Sequence, residues 1–298
     1  MDHKDFVAAL PAETRTELTR TSDAAGLWHL AGHWGAIGLV TAGILLPVPL
    51  WWALVPVQGV LLVFLFTLLH ETSHRTPFRS EALNLWVGRI CGAVLFLPAT
   101  WFRYFHFAHH RYTQIPGKDP ELAEPKPETP WEYLRHLSGL PVWAGQSRTL
   151  WRTATGGDPG DFVPKARVAE VRREARWMLG LYGVLFLGSV VAGSAVLIWG
   201  WLFPLMLGQP VLRLYLLAEH GRCAFVANML ENSRTTFTNR AVRFLAWNMP
   251  YHAEHHAYPS VPFHRLPDLH RLARPHLAET EAGYAGFHRR YAKGLRRA

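Results

Sequence analysis

The sequence contains very little cysteine. Only Cys91 and Cys223 occur in its 298 residues. Two thiols cannot form a disulfide framework or a four-cysteine zinc site, and they cannot ligate a built-in ferredoxin or rubredoxin centre. A secretory signal is not expected either, because the first twenty residues are polar and acidic. Disulfide-rich secreted proteins and iron–sulfur proteins are therefore excluded.

Charged residues are also scarce, at 18% of the chain, and two long stretches contain none. Residues 24–69 and 177–212 have no Asp, Glu, Lys or Arg. A membrane-spanning helix needs about 20 apolar residues, so each stretch is long enough for two spans and too long for one. Pro47 and Gly200 lie near the two midpoints, where a turn is expected. We therefore predict two helical hairpins, 30–47 with 51–69 and 177–197 with 201–219.

Basic residues outnumber acidic ones by 31 to 22, and their positions are uneven. Three precede the first predicted hairpin, 15 lie between the hairpins, and 13 lie from Arg213 onward. If both hairpins enter from one side, every basic residue is cytoplasmic, as the positive-inside rule requires. We therefore expect an integral protein of the bacterial inner membrane, with both termini cytoplasmic. The alternatives are a soluble protein with two buried hairpins and a nucleic-acid-binding protein, and no recognisable module supports the latter.

The more polar segments predict a helical cytoplasmic cap, formed by residues 70–176 and 220–298. Residues 83–102 are apolar but contain Pro98, and we interpret them as an interfacial or re-entrant helix. A true span there would place later histidines on the opposite membrane face. The prediction is therefore a single all-α membrane domain, residues 1–298, with four transmembrane helices and a cytoplasmic cap that holds the active site.

The 17 histidines of the chain are clustered. One pair has the pattern H-E-x-x-H at the end of the second predicted span, and H-x-x-H-H occurs twice further on. Positions i, i+3 and i+4 share one face of a helix, so the imidazoles of each pattern can converge. One more histidine lies where the fourth span ends. The nine candidate ligands are His70, His74, His106, His109, His110, His220, His252, His255 and His256.

Nine imidazoles are too many for one metal ion. A structural zinc takes four ligands, and a catalytic zinc takes three plus water. Nine ligands suit two metals with four or five protein ligands each. Neutral imidazole suits Zn, Cu, Fe and Ni, and the spacing does not choose among them.

The pattern H-E-x-x-H is by itself typical of a zinc metalloprotease, with Glu71 as the general base. An intramembrane protease would leave both H-x-x-H-H patterns unused. A membrane metal sensor or transporter is a third possibility. Its ligands should line a path through the spans, where only His29 and His33 occur, and we expect these two to be structural.

The three histidine patterns, the intervening hydrophobic hairpin and the stretch NMPYHAEHHAYPSVPFHRLP resemble the membrane fatty acid desaturase superfamily. This superfamily also contains alkane monooxygenases, carotenoid ketolases and hydroxylases, and sphingolipid desaturases. The resemblance covers about residues 30–275. It implies a non-haem di-iron centre at the cytoplasmic face, held by the eight patterned histidines together with His220. It also implies that O2 and two electrons are used to attack unactivated C–H bonds.

The resemblance implies desaturation of a fatty acyl or lipid chain, with hydroxylation or ketolation of a lipid, alkane or other hydrophobic substrate as the alternative. The three residues between His70 and His74 are typical of acyl-lipid desaturases and alkane monooxygenases. Leu216 stands where acyl-CoA desaturases have Asn, which argues against an acyl-CoA substrate. Because the H-P-G-G haem motif is absent, we expect a separate electron donor of the ferredoxin, rubredoxin or cytochrome b5 type, with its reductase.

Acidic residues near the patterns are candidates for orienting the ligands, since a ligating histidine usually donates its other N–H to a carboxylate or carbonyl. We predict this role for Glu71, Glu254 and Asp119, and Glu219 also adjoins a candidate ligand. Three arginines, Arg111, Arg222 and Arg234, are candidates for binding a substrate head group or an acidic donor protein, or for a plain membrane-surface role.

Overall fold

A computed structural model of the chain describes residues 1–46 and 48–296, and this part is mainly helical. The predicted turn residue Pro47 lies outside the described residues. The chain begins with two short helices, α1 (His3–Ala9) and α2 (Ala12–Leu18), followed by the long helix α3 (Asp23–Leu45). The Ser22 side chain starts α3 by accepting the backbone N–H of Ala25 at 3.3 Å, as N-terminal caps do.

The partner of α3 in the first hairpin extends from Trp51 to His74. It consists of a 3-10 turn (Trp51–Ala53), helix α4 (Leu54–Val63) and helix α5 (Leu65–His74). Helix α5 ends because Arg75 adopts a left-handed conformation with φ 62°. The first predicted hairpin is therefore present, and its second helix continues five residues beyond the predicted 69, through the H-E-x-x-H pattern.

Within the described residues, three helical stretches are long and apolar enough to cross a membrane. They are Trp51–His74, Lys165–Val191 and Ile198–His220. Helix α3 is long enough but is not in this set, because two histidines and several glycines lower its hydropathy. Three of the four predicted transmembrane helices are therefore supported by length and composition.

The apolar segment predicted as one helix at 83–102 is broken in two. Helix α6 (Glu81–Val94) and helix α7 (Ala99–Tyr112) meet at an angle of 99°. The break fits Pro98, because the residue before a proline is disfavoured in helical conformation, and Phe96 has a φ of 59°. The single-helix prediction is thus wrong at residues 95–98. The bent pair has the shape of a broken span or a re-entrant loop.

The second hairpin turns earlier than predicted. Helix α10 (Val168–Val191) ends at a turn over residues 192–195, where Gly193 has a φ of 59° that favours glycine. The predicted turn residue Gly200 lies instead in a π-helical stretch (Ile198–Leu202), which continues into α11 (Phe203–His220). The helical stretch also contains Pro204 and Pro210, which have no backbone N–H to donate.

Helices α4 and α11 pack side by side and run in the same direction. The Trp51 and Trp199 rings meet edge to face near their beginnings, with centroids 5.2 Å apart. Further along, Gly59 and Gly208 let the two backbones touch, since a Cβ at Gly59 would lie 2.9 Å from the Gly208 nitrogen. The stretch Trp51–His74 and helix α11 therefore deliver their histidine-bearing ends to the same end of the molecule.

Helix α10 leaves most of its apolar side chains uncovered. The exposed ones include Leu181, Val184, Phe186, Leu187, Val190 and Val191. Val191 is 88% exposed. Such a continuous apolar surface is rare on soluble monomers and is what a lipid environment would cover.

The polar parts of the chain are mainly helical, as predicted. Between the hairpins lie α8 (Pro130–Leu137) and α9 (Leu140–Ala154). After α11 come α12 (Met229–Asn232), α13 (Arg240–Leu245), α14 (His252–Ala257), α15 (Leu266–Ala273) and α16 (Tyr284–Lys293). A small parallel sheet pairs β1 (Thr235–Thr236) with β2 (Thr280–Glu281), which was not predicted.

One hydrophobic core joins the hairpins to the polar helices. It includes Leu68 and Leu69 of α5, together with Trp247 and Leu266 from the C-terminal part. All four are at most 1% exposed. In this arrangement the His255 ring of α14 comes close to the His70 ring of α5, with centroids 4.6 Å apart.

Candidate metal centre

All nine predicted ligands come together in two adjoining groups. The first group has five histidines whose ring nitrogens lie within 4.8 Å of one another: His70, His74, His106, His110 and His255. The second has three on the same criterion, His109, His220 and His256. His252 joins it, because its Nε2 lies 2.9 Å from Nε2 of His220. Groups of five and four match the expected four or five ligands for each of two metals.

Both H-x-x-H-H helices contribute to both groups. From α7, His106 and His110 point into the first group and His109 into the second. From α14, His255 belongs to the first group and His256 to the second. The His110 and His256 rings stack between the groups, with centroids 4.1 Å apart and planes 3° from parallel. The convergence was predicted from the spacing, whereas this division between two groups was not.

Two rings of the second group face each other with nitrogens close enough to bind one cation. The Nδ1 of His109 lies 2.9 Å from the Asp119 carboxylate, and that of His220 lies 3.1 Å from the Asn232 carbonyl. Both oxygens only accept, so in neutral rings each Nδ1 carries the proton and each Nε2 has a free lone pair. These two Nε2 atoms are 3.2 Å apart. Nitrogens bound about 2.1 Å from one metal ion have such spacings.

The remaining nitrogens also fit metal binding. Those of His70, His110 and His255 are buried and have no hydrogen-bond partner, and the same is true of Nε2 of His256. Buried polar atoms without partners are costly, and each needs an explanation. Burial first, and then the neighbouring imidazoles, lower the pKa values of His252, His255 and His256 well below their ordinary value. These rings are therefore neutral, the form that binds metals.

Asp119, one of the residues predicted to orient a ligand, is hydrogen-bonded to the candidate ligand His109. Its Oδ1 accepts from His109, and its two oxygens also accept the backbone N–H groups of Gln114 at 2.8 Å and Glu121 at 3.0 Å. The carboxylate is thus fixed by the loop that follows α7. The contact is the carboxylate–histidine pairing that orients metal ligands in proteins.

Glu71 is fully buried beside two rings of the first group. Its Oε1 lies 3.7 Å from Nδ1 of His255 and 3.9 Å from Nδ1 of His70. Its Oε2 accepts the backbone N–H of Phe263 at 3.1 Å and the Thr76 hydroxyl at 3.2 Å. The Glu71 side chain therefore connects α5 to the backbone of Phe263. It lies on the side of the His70 and His255 rings where Nδ1 is.

Glu254 faces away from the cluster. Its carboxylate accepts from the Thr235 hydroxyl and pairs with Nδ1 of His270. Position 254 lies between His252 and His255 in sequence but on another side of α14, because successive helix residues are about 100° apart. Its predicted orienting role stays a prediction.

Three further groups lie beside candidate ligand nitrogens, and none of them was among the residues predicted to orient ligands. The Thr113 hydroxyl lies 3.2 Å from Nδ1 of His256, the Asn232 carbonyl accepts from His220, and Glu219 Oε1 lies 3.3 Å from Nδ1 of His252. Of the three, only Glu219 could be noticed in the sequence, because it adjoins His220. Thr113 and Asn232 are brought close to the histidines by tertiary packing.

The histidines expected to be structural have ordinary partners. His33 Nε2 bonds the Leu61 carbonyl at 2.9 Å, and His29 Nε2 bonds the Phe244 carbonyl at 2.7 Å. Arg234 is also structural: it donates to the carbonyls of Ala218 and Gly221 at the end of α11. These contacts fix the end of the helix that carries the ninth ligand.

A cavity of about 400 Å³ reaches the histidines. Its walls come from α5, α7, α8, α9, α11, α14 and the loop around residues 120–126. Near the cluster it is lined by His70, His106, His109 and His252, and beside them by the aromatic rings of Phe66, Trp101, Phe102 and Phe105. An apolar cleft that ends on a polar cluster is the usual form of a small-molecule site.

The fold and the site define a class of helical proteins with membrane-type helices and a histidine cluster suited to metal ions. The chain belongs to the fatty acid desaturase family: residues 47–288 match the family model described as "Fatty acid desaturase". The resemblance inferred from the histidine patterns is thereby confirmed.

Several characterised proteins are similar to the chain. Dihydrorhizobitoxine desaturase of Bradyrhizobium elkanii is 26% identical over 250 residues, which cover 74% of this chain and 68% of the relative. Sphingolipid delta(4)-desaturase DES1 of Rattus norvegicus is 25% identical over 208 residues, covering 69% and 60%. Beta-carotene 4-ketolase 3 of Haematococcus lacustris is 24% identical over 235 residues, covering 72% and 61%. The chain thus spans 60% to 68% of the length of these relatives.

Proposed function

We propose that this protein is an O2-dependent, non-haem di-iron oxidoreductase that desaturates a fatty acyl or lipid chain. The observation that carries the proposal is the pair of adjoining groups of five and four buried imidazoles at the end of an apolar cavity. Membership of the desaturase family supports it. The named activities of the relatives include desaturation, C4-monooxygenation and ketolation.

The all-nitrogen ligand set suits iron, among the metals that neutral imidazole binds. When bound, the iron pair supplies activation of O2 and abstraction of hydrogen from an unactivated C–H bond. Desaturation removes two hydrogen atoms from adjacent carbons. With two electrons and two protons from outside, these reduce O2 to two molecules of water.

The residues of the chain orient the ligands and keep water away. Asp119 and the Asn232 carbonyl hold the protons of His109 and His220 on Nδ1, which leaves each Nε2 free for metal. Phe102 and Phe105 on α7 line the approach to these rings. An apolar chain held there excludes water and is restricted in orientation, which favours attack at one position.

Hydroxylation or ketolation on the same site is the alternative. Both begin with the same hydrogen abstraction as desaturation and differ in the later fate of the substrate carbon. Relatives named for desaturation and C4-monooxygenation together, such as the Mus musculus protein DES2, favour keeping this alternative.

For the membrane arrangement, we propose four spans with the cap on the cytoplasmic side of a bacterial inner membrane. Trp51 and Trp199 would lie near the opposite interface, where aromatic residues are enriched. Helix α3, packed beside α4, would be the fourth span. The distribution of basic residues supports the cytoplasmic position of the cap.

A separate electron donor would bind near a second cavity, of about 540 Å³. This cavity reaches His220 and Gln114, and its rim includes Arg222 and Arg296. Phe225, which is 64% exposed, adds an apolar contact point. A small acidic protein of the ferredoxin, rubredoxin or cytochrome b5 type would fit this basic rim.

The protease and transporter alternatives have less support. In a zinc protease Glu71 would face a metal-bound water. Here its Oε2 accepts from Phe263 and Thr76, and its Oε1 lies on the Nδ1 side of His70 and His255. A transporter needs ligands along the spans. In the described helices the candidate ligands gather at one end, and the histidines above them, His29 and His33, bond backbone carbonyls.

The proposal is tested by expression in a bacterial host of defined lipid content, followed by mass spectrometry of total lipids and metal analysis of the purified protein. Products that have lost two hydrogens indicate desaturation, and products that have gained one oxygen indicate hydroxylation. About two irons per chain are expected. Protein that holds about one tightly bound metal, and that metal zinc, would overturn the proposal.

A further inference from the structure

A cleft of about 390 Å³ lies where α5, α6, α7 and the beginning of α10 meet. Its charged lining residues are mainly basic: Arg75, Arg89, Arg103 and Arg167 against Glu81 and Glu170. The excess of arginine makes the cleft electropositive, and an electropositive cleft attracts anions.

Two of the four arginines are already paired within the cleft. The Arg75 guanidinium lies 3.0 Å from the Glu81 carboxylate, and the Arg167 guanidinium lies 3.0 Å from the Glu170 carboxylate. These two pairs occupy both glutamates of the cleft. The other two arginines are therefore left to bind an anion.

These two arginines, Arg89 and Arg103, have donors available. Arg103 is partly buried with its guanidinium 4.7 Å from the centroid of the Phe107 ring, and none of the ion pairs among the described residues involves it. Nε of Arg89 is buried without a hydrogen-bond partner, since the Glu174 carboxylate is 3.8 Å away. A buried donor without a partner is costly, and a bound acceptor would satisfy it.

The outer edge of the cleft is apolar. Leu85 lines the cleft, and Trp86 and Ile90 follow it on α6; all three are exposed, and Trp86 is 60% exposed. The Arg89 guanidinium lies 5.2 Å from the centroid of the Trp86 ring, so the charged and apolar surfaces adjoin. A phosphate with an acyl chain attached matches both surfaces, whereas a free anion contacts only the charged one.

The cleft is separate from the cavity that reaches the histidines. Among the described residues the two share no lining residue. They lie on different faces of α7, because Arg103 and Phe107 line the cleft, whereas Phe102, Phe105 and His106 line the cavity. A molecule in the cleft is therefore bound outside the proposed substrate site.

We propose that this cleft binds an anionic phospholipid, with its phosphate on Arg89 and Arg103 and an acyl chain against the exposed apolar side chains of α6. A guanidinium offers parallel N–H donors that match phosphate oxygens. The lipid is a bound component and not the substrate, so the inference goes beyond the proposed reaction. The cleft is also lined by Thr72 and Ser73 of α5, so the lipid would connect the two helices that carry five of the candidate ligands.

The test measures lipid binding to the metal-loaded protein in detergent micelles by native mass spectrometry. The probes are phosphatidylglycerol and phosphatidylcholine with the same acyl chains. Arg103→Gln removes one of the two arginines, and Arg148→Gln, an exposed arginine on α9 outside the cleft, is its control. Ala82→Glu adds a carboxylate at an exposed position that lines the cleft, and Ala82→Gln adds similar bulk without charge. Metal content and circular dichroism show whether each variant is folded.

Wild type should bind phosphatidylglycerol roughly tenfold more tightly than phosphatidylcholine, and Arg103→Gln should remove most of that preference. Arg148→Gln should keep it. Ala82→Glu should weaken phosphatidylglycerol binding by charge repulsion and Ala82→Gln should not, and this pair decides the matter if Arg103→Gln does not fold. Equal binding of the two lipids by wild type, or equal binding of phosphatidylglycerol by the two Ala82 variants, would overturn the inference.

Competition with inorganic phosphate distinguishes a lipid site from a general anion site. Millimolar phosphate should displace little phosphatidylglycerol beyond the effect of chloride at the same ionic strength, because the acyl chain contributes to binding. Displacement specific to phosphate would refute the lipid as the occupant.

Thermal unfolding gives a second measurement, since a ligand that binds only the folded protein stabilises it. Phosphatidylglycerol should raise the unfolding midpoint of wild type and Arg148→Gln more than that of Ala82→Glu. An equal rise in all three would place the lipid elsewhere. None of these measurements requires turnover, so their outcome is independent of the proposed reaction.

Discussion

Nδ1 of His109 donates a hydrogen bond to the Asp119 carboxylate at 2.9 Å, and this carboxylate also accepts two backbone N–H groups. The contact favours the tautomer of His109 that has its proton on Nδ1. Asp119 lies outside the histidine patterns, in the loop that follows α7, and we predict that it orients this candidate ligand.

Replacing Asp119 with alanine should therefore weaken metal binding in the second group. Removing the partner of a ligating histidine typically costs about 10- to 100-fold in metal affinity. We expect metal content to fall from about two toward one per chain under chelator challenge, measured by elemental mass spectrometry. Glu124→Gln, an exposed acid in the same loop, is the control and should keep both metals. An unchanged metal content in Asp119→Ala would contradict the orienting role.

Because the histidines form two groups, a substitution in one group should remove the metal of that group and leave the other metal bound. His110→Ala removes a ligand from the group of five, and His220→Ala removes one from the group of four. Each variant should lose about one metal per chain, and the variant with both changes should lose both. His276→Ala, outside the groups, should lose none. If either single change left the stoichiometry at two, the assignment of that histidine would be wrong.

Glu71→Gln separates the oxidase from the metalloprotease. Glutamine keeps an oxygen that can accept from Phe263 and Thr76, so the first group should keep its metal and part of the lipid-oxidising activity. A zinc protease would lose its general base and all its activity. The measurements are metal content, lipid products and cleavage of a peptide library. Peptide cleavage by wild type that disappears in Glu71→Gln would count against the proposed function.

Gly59 is required for the close contact of α4 with α11. A methyl group at this position would lie 2.9 Å from the Gly208 nitrogen and closer still to the Pro204 carbonyl. Gly59→Ala should therefore cost about 1–3 kcal/mol by overpacking. Gly180→Ala on α10, where nothing lies within 4 Å, should be neutral or slightly stabilising. Thermal unfolding in nanodiscs checks both, and equal midpoints for the two variants would contradict the packing.

The basic rim of the second cavity predicts a donor-specific defect. Arg296→Glu should raise the KM for an acidic electron donor several-fold, and high salt should reduce the difference, because exposed charges are screened. The turnover rate with a small chemical reductant should not change. Arg148→Glu is the control. If the KM for the donor were the same in both variants, the donor would bind elsewhere.

The position of the turn in the second hairpin could not be predicted from composition. Absence of charge located its apolar stretch but not its turn, because Gly193 and Gly200 are equally plausible breaks in a uniformly apolar segment. The chain turns at Gly193, where the backbone takes a positive φ, and Gly200 stays in helical structure. The break between α6 and α7 was likewise marked by Pro98, but its angle of 99° depends on packing.

The sequence by itself determined the nine candidate ligands and the family, because ligand spacing on helices and uncharged stretches are local properties of the chain. Only the tertiary structure decided how the histidines divide, because adjacent residues such as His109 and His110 point to different groups. It also decided which nitrogens are oriented by Thr113 and Asn232, and that Arg103 and Arg167 line the same cleft. These relationships join segments far apart in sequence, and no local pattern encodes them.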